Sequence, residues 1–142
     1  GAYVDLSRDS VKAIARAHLI EKAMKRVLEL DPTYFHGSAH LVLLTFYAAR
    51  SPMMGGNLNL ALTHYQKHKA MNENRFFLSD LYYARYYLYQ KQDRRQFVQV
   101  LSDILNAPAD DEKYLFFNQV AVNRAKIYLN QVDRFFELAE EN

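Results

Sequence analysis

The amino-acid sequence predicts an all-α fold of about seven helices stacked as antiparallel hairpins. Three observations lead there. With only 4 Gly and 3 Pro in 142 residues, the chain lacks the turn chemistry of a many-stranded β protein. Four of these seven breakers gather at residues 51–57 and 107–111. No segment keeps a period of two, whereas apolar residues recur at steps of three and four along most of the chain.

The first helix is expected over residues 8–30. Ser7 or Ser10 caps its start and Asp31-Pro32 ends it, because Pro disfavours helical geometry in the residue before it. Ala13, Ala17, Ile20, Met24 and Val27 form its buried stripe. Residues 33–50 form a second helix, apolar nearly all round through Leu41, Val42, Leu43, Leu44, Phe46 and Tyr47, and so sandwiched between neighbours. After Ser51-Pro52-Met53-Met54-Gly55-Gly56-Asn57, a third helix puts Leu58, Ala61, Leu62 and Tyr65 on one face. A fourth, residues 75–91, is dense in tyrosine. The fifth, residues 93–106, buries Phe97, Val100, Leu101, Ile104 and Leu105. Ala107-Pro108-Ala109-Asp110 turns into a sixth that reaches residue 130, and a short seventh over 132–140 closes the chain. Its acidic end, Glu137, Glu140 and Glu141, suits a solvated terminus.

Composition excludes several function classes. A formal net charge of +2, with basic residues spread along the chain, is too weak a bias for nucleic acid. Without cysteine there are no disulfides, thiolate zinc sites or cysteine nucleophiles. No apolar run approaches the roughly 20 residues a membrane-spanning helix needs. A start at Gly-Ala-Tyr without Met suggests a processed or truncated chain, which leaves room for a removed targeting segment. There is no nucleophile elbow, phosphate loop or dinucleotide fingerprint. The acids at 110–112 suit a helix N-terminus, so the chain is expected not to be an enzyme and to need no cofactor.

Repeat logic sharpens the architecture. Ile20-x-x-x-Met24-x-x-Val27-Leu28-Glu29-Leu30-Asp31-Pro32 resembles the second half of a tetratricopeptide repeat, and Ala61-x-x-x-Tyr65 sits at the matching place in the third helix. Asp93-Arg94 and Asp133-Arg134 each stand at a helix junction followed by phenylalanine, as Phe97 and as Phe135-Phe136. The expected pairs are helices two and three, four and five, six and seven, with helix one as a cap, in a right-handed, tetratricopeptide-like stack forming one domain over residues 1–142 or the C-terminal part of a longer protein.

Tyr34-x-x-Gly37, a hydrophobic helix ending Phe46-Tyr47, and then Ser51-Pro52-x-x-Gly55-Gly56-Asn57-x-x-x-Ala61-x-x-x-Tyr65 resemble the T component of tripartite ATP-independent periplasmic (TRAP) transporters. Gln92-Asp93 and Phe97 continue the pattern, so the resemblance covers roughly residues 34–136. It implies a periplasmic protein, lipid-anchored through a removed N-terminal segment, that binds the transporter's solute-binding protein, forms homo-oligomers and offers an apolar cleft to a ligand. One departure is that the family usually has Asp after Gly-Gly, where this chain has Asn57.

Four groups are candidate contacts. Gly55 and Gly56 let backbone N–H groups approach a partner and Asn57 adds an amide, although all three also suit helix caps; Pro52 with its two methionines gives the loop an adaptable apolar surface. Tyr82, Tyr86 and Tyr89 share one face of the fourth helix and Tyr83 and Tyr87 the next; Tyr83, Tyr87, Tyr47 and Tyr65 are expected to line a groove, the remainder filling the core. Arg85, like Arg124, falls among aromatics, where it serves either as a carboxylate receptor or in a structural ion pair with Asp80 or Asp93. His36 with His40, and His64 with His68, are spaced i, i+4, and the simpler expectation is solvent-facing histidines without metal. The function expected is a scaffold of a carboxylate-uptake system that contacts a solute-binding protein and a small carboxylate or apolar ligand. The alternative is a general helical-repeat adaptor that docks a peptide or protein and no small ligand.

Overall fold

A computed structural model describes residues 2–136, with side chains from residue 9. Seven α-helices follow in order: α1 (Ala2–Leu30), α2 (Tyr34–Ala49), α3 (Leu58–Met71), α4 (Leu78–Tyr82), α5 (Arg94–Asn106), α6 (Leu115–Asn130) and α7 (Val132–Phe135). No strand occurs among the described residues. α4 runs directly into a π-helix, Tyr83–Leu88, and the two together are called the tyrosine helix below. Short 3-10 turns at Pro52–Met54 and Glu112–Tyr114 precede α3 and α6.

The stack follows chain order. α1 packs on α2 and α2 along α3; both then meet the tyrosine helix, which packs on α5, and α5 on α6. The expected pairing of helices two with three and four with five is present, and α6 meets α5 as well as α7. At the far end Arg94 Nη2 donates to Asp133 Oδ1 at 2.6 Å, so the two Asp-Arg junctions meet in space. The core is built from Leu43, Leu44, Ala61, Ala84, Leu88, Phe97, Leu101, Ala121 and Phe136, all nearly inaccessible.

Local chemistry accounts for the ends that were expected. Asp93 caps α5 by accepting from the Gln96 N–H, and Asn57 caps α3 by accepting from the Leu60 N–H. Buried amides then knit the helices together. Asn72 Nδ2 donates to the carbonyl oxygens of His36 and His68, while its Oδ1 accepts from the Tyr114 hydroxyl. Asn118 takes the Phe77 N–H and donates to the Arg75 carbonyl, which fixes the entry to α4.

Several expectations are corrected. α1 begins at Ala2, so Ser7 and Ser10 lie within it and do not cap it. Of its stripe only Ala17 is buried; Met24 and Val27 are half-buried, and Ala13 and Ile20 are exposed, because α2 covers only part of α1. α2 does not start as a regular helix: Phe35, His36 and Gly37 have φ of 47°, 58° and 75°. Left-handed backbone costs a non-glycine residue roughly 1–2 kcal/mol, and tertiary contacts hold it here. Asn72 grips the His36 carbonyl, Phe35 packs edge-on against Phe117, and a Cβ at Gly37 would meet Met71 Sδ at 2.1 Å. The acids at 110–112 lead into a 3-10 turn capped by Asp111, ahead of α6. The expected end of the seventh helix, with Glu137, Glu140 and Glu141, lies outside the described residues.

Candidate functional site

The loop at residues 51–57 is held by its own backbone. The Gly56 N–H donates to the Ser51 carbonyl and the Gly55 N–H to that of Pro52, while the Asn57 N–H closes the loop on the Tyr47 carbonyl at 2.9 Å. Gly55 adopts φ 97°, open to glycine at no steric cost. Gly56 is required for another reason: a Cβ there would stand 1.8 Å from the Arg50 carbonyl oxygen. Both glycines and Asn57 are therefore accounted for by turn and cap geometry. Outward the loop offers the apolar Pro52 and Met53, the latter 93% accessible, flanked by the exposed Ser51 and Asn57.

The tyrosines divide into two sets. Tyr83 stacks on Tyr65 with ring centroids 4.0 Å apart and on Tyr87 at 5.1 Å. The Tyr65 hydroxyl donates to Asp80 Oδ1 at 2.6 Å, and Lys69 Nζ joins the same oxygen at 3.1 Å. Burial, and then the Asp80 charge, push the Tyr65 hydroxyl far above its ordinary pKa. Three of the expected residues thus come together, as a ladder rather than as the walls of an open groove. Tyr47 stands apart from them, buried between Phe46 and His64; burial and the neighbouring Glu21 raise it to about 12.

Arg85 is half-buried, with its guanidinium carbon 4.8 Å from the Phe135 ring, 5.2 Å from Tyr86, 5.3 Å from Tyr89 and 5.9 Å from Tyr128. The ion pair with Asp80 or Asp93 does not form: Asp80 serves Tyr65 and Lys69, and Asp93 caps α5. Rings hold Arg85 in place of an acid. Arg124, expected to be partly buried, is exposed.

The histidines face inward, contrary to the solvent-facing expectation. His40 and His64 share a hydrogen bond between their Nδ1 atoms at 2.9 Å across α2 and α3. His68 is fully buried, with Nδ1 paired to the Ser79 hydroxyl and Nε2 without a hydrogen-bond partner. Burial lowers His40 and takes His64 and His68 down to about 4. His36 falls in the left-handed turn, so its i, i+4 relation to His40 does not make a shared helical face. No group of three or more metal-capable side chains occurs among the described residues.

A pocket of about 290 Å³ opens between α1, α2 and the tyrosine helix, lined by Ile20, Val42, Phe46, Arg50, Tyr82 and Tyr86, with Thr45 between. None of the nine expected contact residues lines it, although the pocket lies next to the loop: a Cβ on Gly55 would stand 3.5 Å from the Phe46 ring. Sequence held one signal for it. Arg50 ends an apolar helix with Phe46 four residues before it and no acid three or four residues to either side.

A family model described as TRAP transporter T-component matches residues 1–136. No curated protein matches the chain.

Proposed function

The chain belongs to the TRAP transporter T-component family, and from that premise we propose that it is the binding component of a periplasmic carboxylate-uptake system. It docks the solute-binding protein through the loop at residues 51–57 and carries out no chemistry of its own. The observation that carries this reading is the family match, which takes in 1–136 of the 142 residues. Geometry supports the choice of loop. Four backbone hydrogen bonds fix its course, so little ordering entropy opposes docking, and it presents Pro52 and Met53 outward. Methionine is an adaptable apolar contact of the kind that protein interfaces reuse. The helices act as one tetratricopeptide-like scaffold that sets this loop at an edge, open to homo-oligomer formation. Among the described residues no helix is long and apolar enough to cross a membrane; the family reading places a lipid anchor ahead of Gly1.

The test begins with the natural gene. The reading expects a lipoprotein signal upstream and neighbouring genes for a TRAP permease and a solute-binding protein. The tagged natural protein should then co-purify with that solute-binding protein. A cytosolic start with no transporter nearby, or purification without either transport partner, would overturn it.

A further inference from the structure

The cleft above Phe46 combines largely apolar walls with one cation that has no carboxylate partner among the described residues. Its volume of about 290 Å³ corresponds to roughly ten waters of liquid, and so to a guest of about ten non-hydrogen atoms. Ile20 and Val42 are partly open to solvent at its mouth, and the Phe46 ring is buried. Thr45 contributes little polarity, because its hydroxyl already donates to the Leu41 carbonyl at 3.0 Å.

Among the described residues the one charged group in the lining is Arg50, beside the hydroxyls of Tyr82 and Tyr86. Its guanidinium lies 4.2 Å above the Phe46 ring, and Nη1 donates to the Phe46 carbonyl at 3.3 Å. It has no carboxylate partner among the described residues. A guanidinium carries five N–H donors in a planar fork that matches a carboxylate, and here most of them are uncommitted. Its posture is set by the ring and the carbonyl, so binding an anion requires little further ordering.

The wall opposite carries a second mark. Tyr86 belongs to the π-helix Tyr83–Leu88, and such segments are rare and frequent at functional sites. Tyr82 and Tyr86 pack edge to face at 5.8 Å, which gives the cleft a firm aromatic side.

We propose that this pocket binds an amphipathic monocarboxylate, with the apolar body among Val42, Phe46, Tyr82 and Tyr86 and the carboxylate on Arg50. One cation matches one carboxylate. Besides Arg50 and the hydroxyls of Thr45, Tyr82 and Tyr86 the lining is apolar, and among the described residues it holds no second cation to meet a second carboxylate, which disfavours dicarboxylates. This deepens the proposed function by giving the small ligand a place and a class, and it rests on that reading to this extent.

Sodium octanoate is the probe, with 1-octanol as its neutral counterpart, titrated into the full chain by calorimetry and amide NMR. Octanoate should give saturable shifts at the amides of residues 42–50 and 82–86 and bind at least tenfold more tightly than octanol. Arg50→Met should abolish that preference while leaving octanol binding unchanged. Val42→Trp should block both; Val42 is 39% exposed, so the fold tolerates the change. Arg50→Lys, a point charge without the fork, should fall between. Equal affinity for octanoate and octanol, shifts elsewhere, or undiminished octanoate binding by Arg50→Met would each overturn the proposal. Capture of the solute-binding protein is measured on the same sample. Capture without octanoate binding removes only the pocket assignment, and octanoate binding without capture removes only the docking reading.

Discussion

One helix meets two kinds of neighbour. On one side of the tyrosine helix, Tyr83 is stacked between Tyr65 and Tyr87, and the Tyr65 hydroxyl is tied to Asp80 and Lys69. On the other, Tyr86 shares Arg85 with rings from α6 and α7, and with Tyr82 it faces the pocket on α2. The residue type is the same on both sides and its spacing is similar. What differs is the facing helix. α3 supplies Tyr65 and Lys69, which reach Tyr83 and Asp80 and close the first side, whereas on α2 Phe46 and Arg50 engage each other, and Val42 and Thr45 are too short to fill the second. A tyrosine becomes structural or available according to what stands opposite.

The largest expected effect of a single side chain falls on the closed side. Tyr65→Ala removes the stack and leaves Asp80 without its hydroxyl donor, and should cost about 3 kcal/mol, near the lower end for aromatic truncation. Tyr86→Ala, at the pocket wall, should cost about 1–2 kcal/mol in the same urea titration. Equal losses would erase the distinction between the two sides.

Acid should act next, through the layer between α2 and α3 beside the closed side. His64 and His68 are held down to about 4 by burial, whereas in the unfolded chain both take a proton near 6.5. Between those values the unfolded state binds more protons, so stability falls as pH falls from about 6.5 toward 4 and is flat above. The shared His40–His64 hydrogen bond needs one unprotonated Nδ1, which adds to the effect. A loss on the order of 2 kcal/mol from each of the two histidines by pH 4.5 is expected, with amide exchange rising in α3 before α5. His68→Gln should flatten the profile.

On the open side, Arg85→Met should cost about 1 kcal/mol, and that loss should not change with added salt, because rings rather than an acid hold the guanidinium. A strongly salt-dependent loss would reveal an ion pair. The smallest effect belongs to the loop. Asn57→Asp keeps an oxygen to accept from the Leu60 N–H and should shift the urea midpoint by no more than about 0.5 kcal/mol, whereas Asn57→Ala should cost about 1 kcal/mol.

Elements whose determinants are local could be read from sequence. Asp93 capping an apolar-periodic α5, and Pro52 through Asn57 separating α2 from α3, need only neighbours in the chain. The left-handed turn at Phe35–Gly37 could not be read, because it is held by Asn72, Met71 and Phe117 from distant segments. Histidine spacing misled for the same reason: it assumed a regular helix through His36 and a solvent face for His68, which Ser79 and Phe76 cover. Arg85 was placed correctly among aromatics, yet which acids were already engaged depended on Tyr65, Lys69 and the α5 cap. The pocket draws Ile20, Phe46 and Tyr86 from three elements, and only the solitary Arg50 hinted at it.

Docking of a solute-binding protein through the loop at residues 51–57, as proposed, can be measured directly. Its most direct measurement is the affinity of the natural full-length protein for the solute-binding protein encoded beside it, by biolayer interferometry, alongside Met53→Asp. Saturable binding is expected, weakened at least tenfold by Met53→Asp with the thermal midpoint unchanged, since that side chain is 93% exposed. Absence of binding by the wild type, or equal binding by the variant, would contradict it.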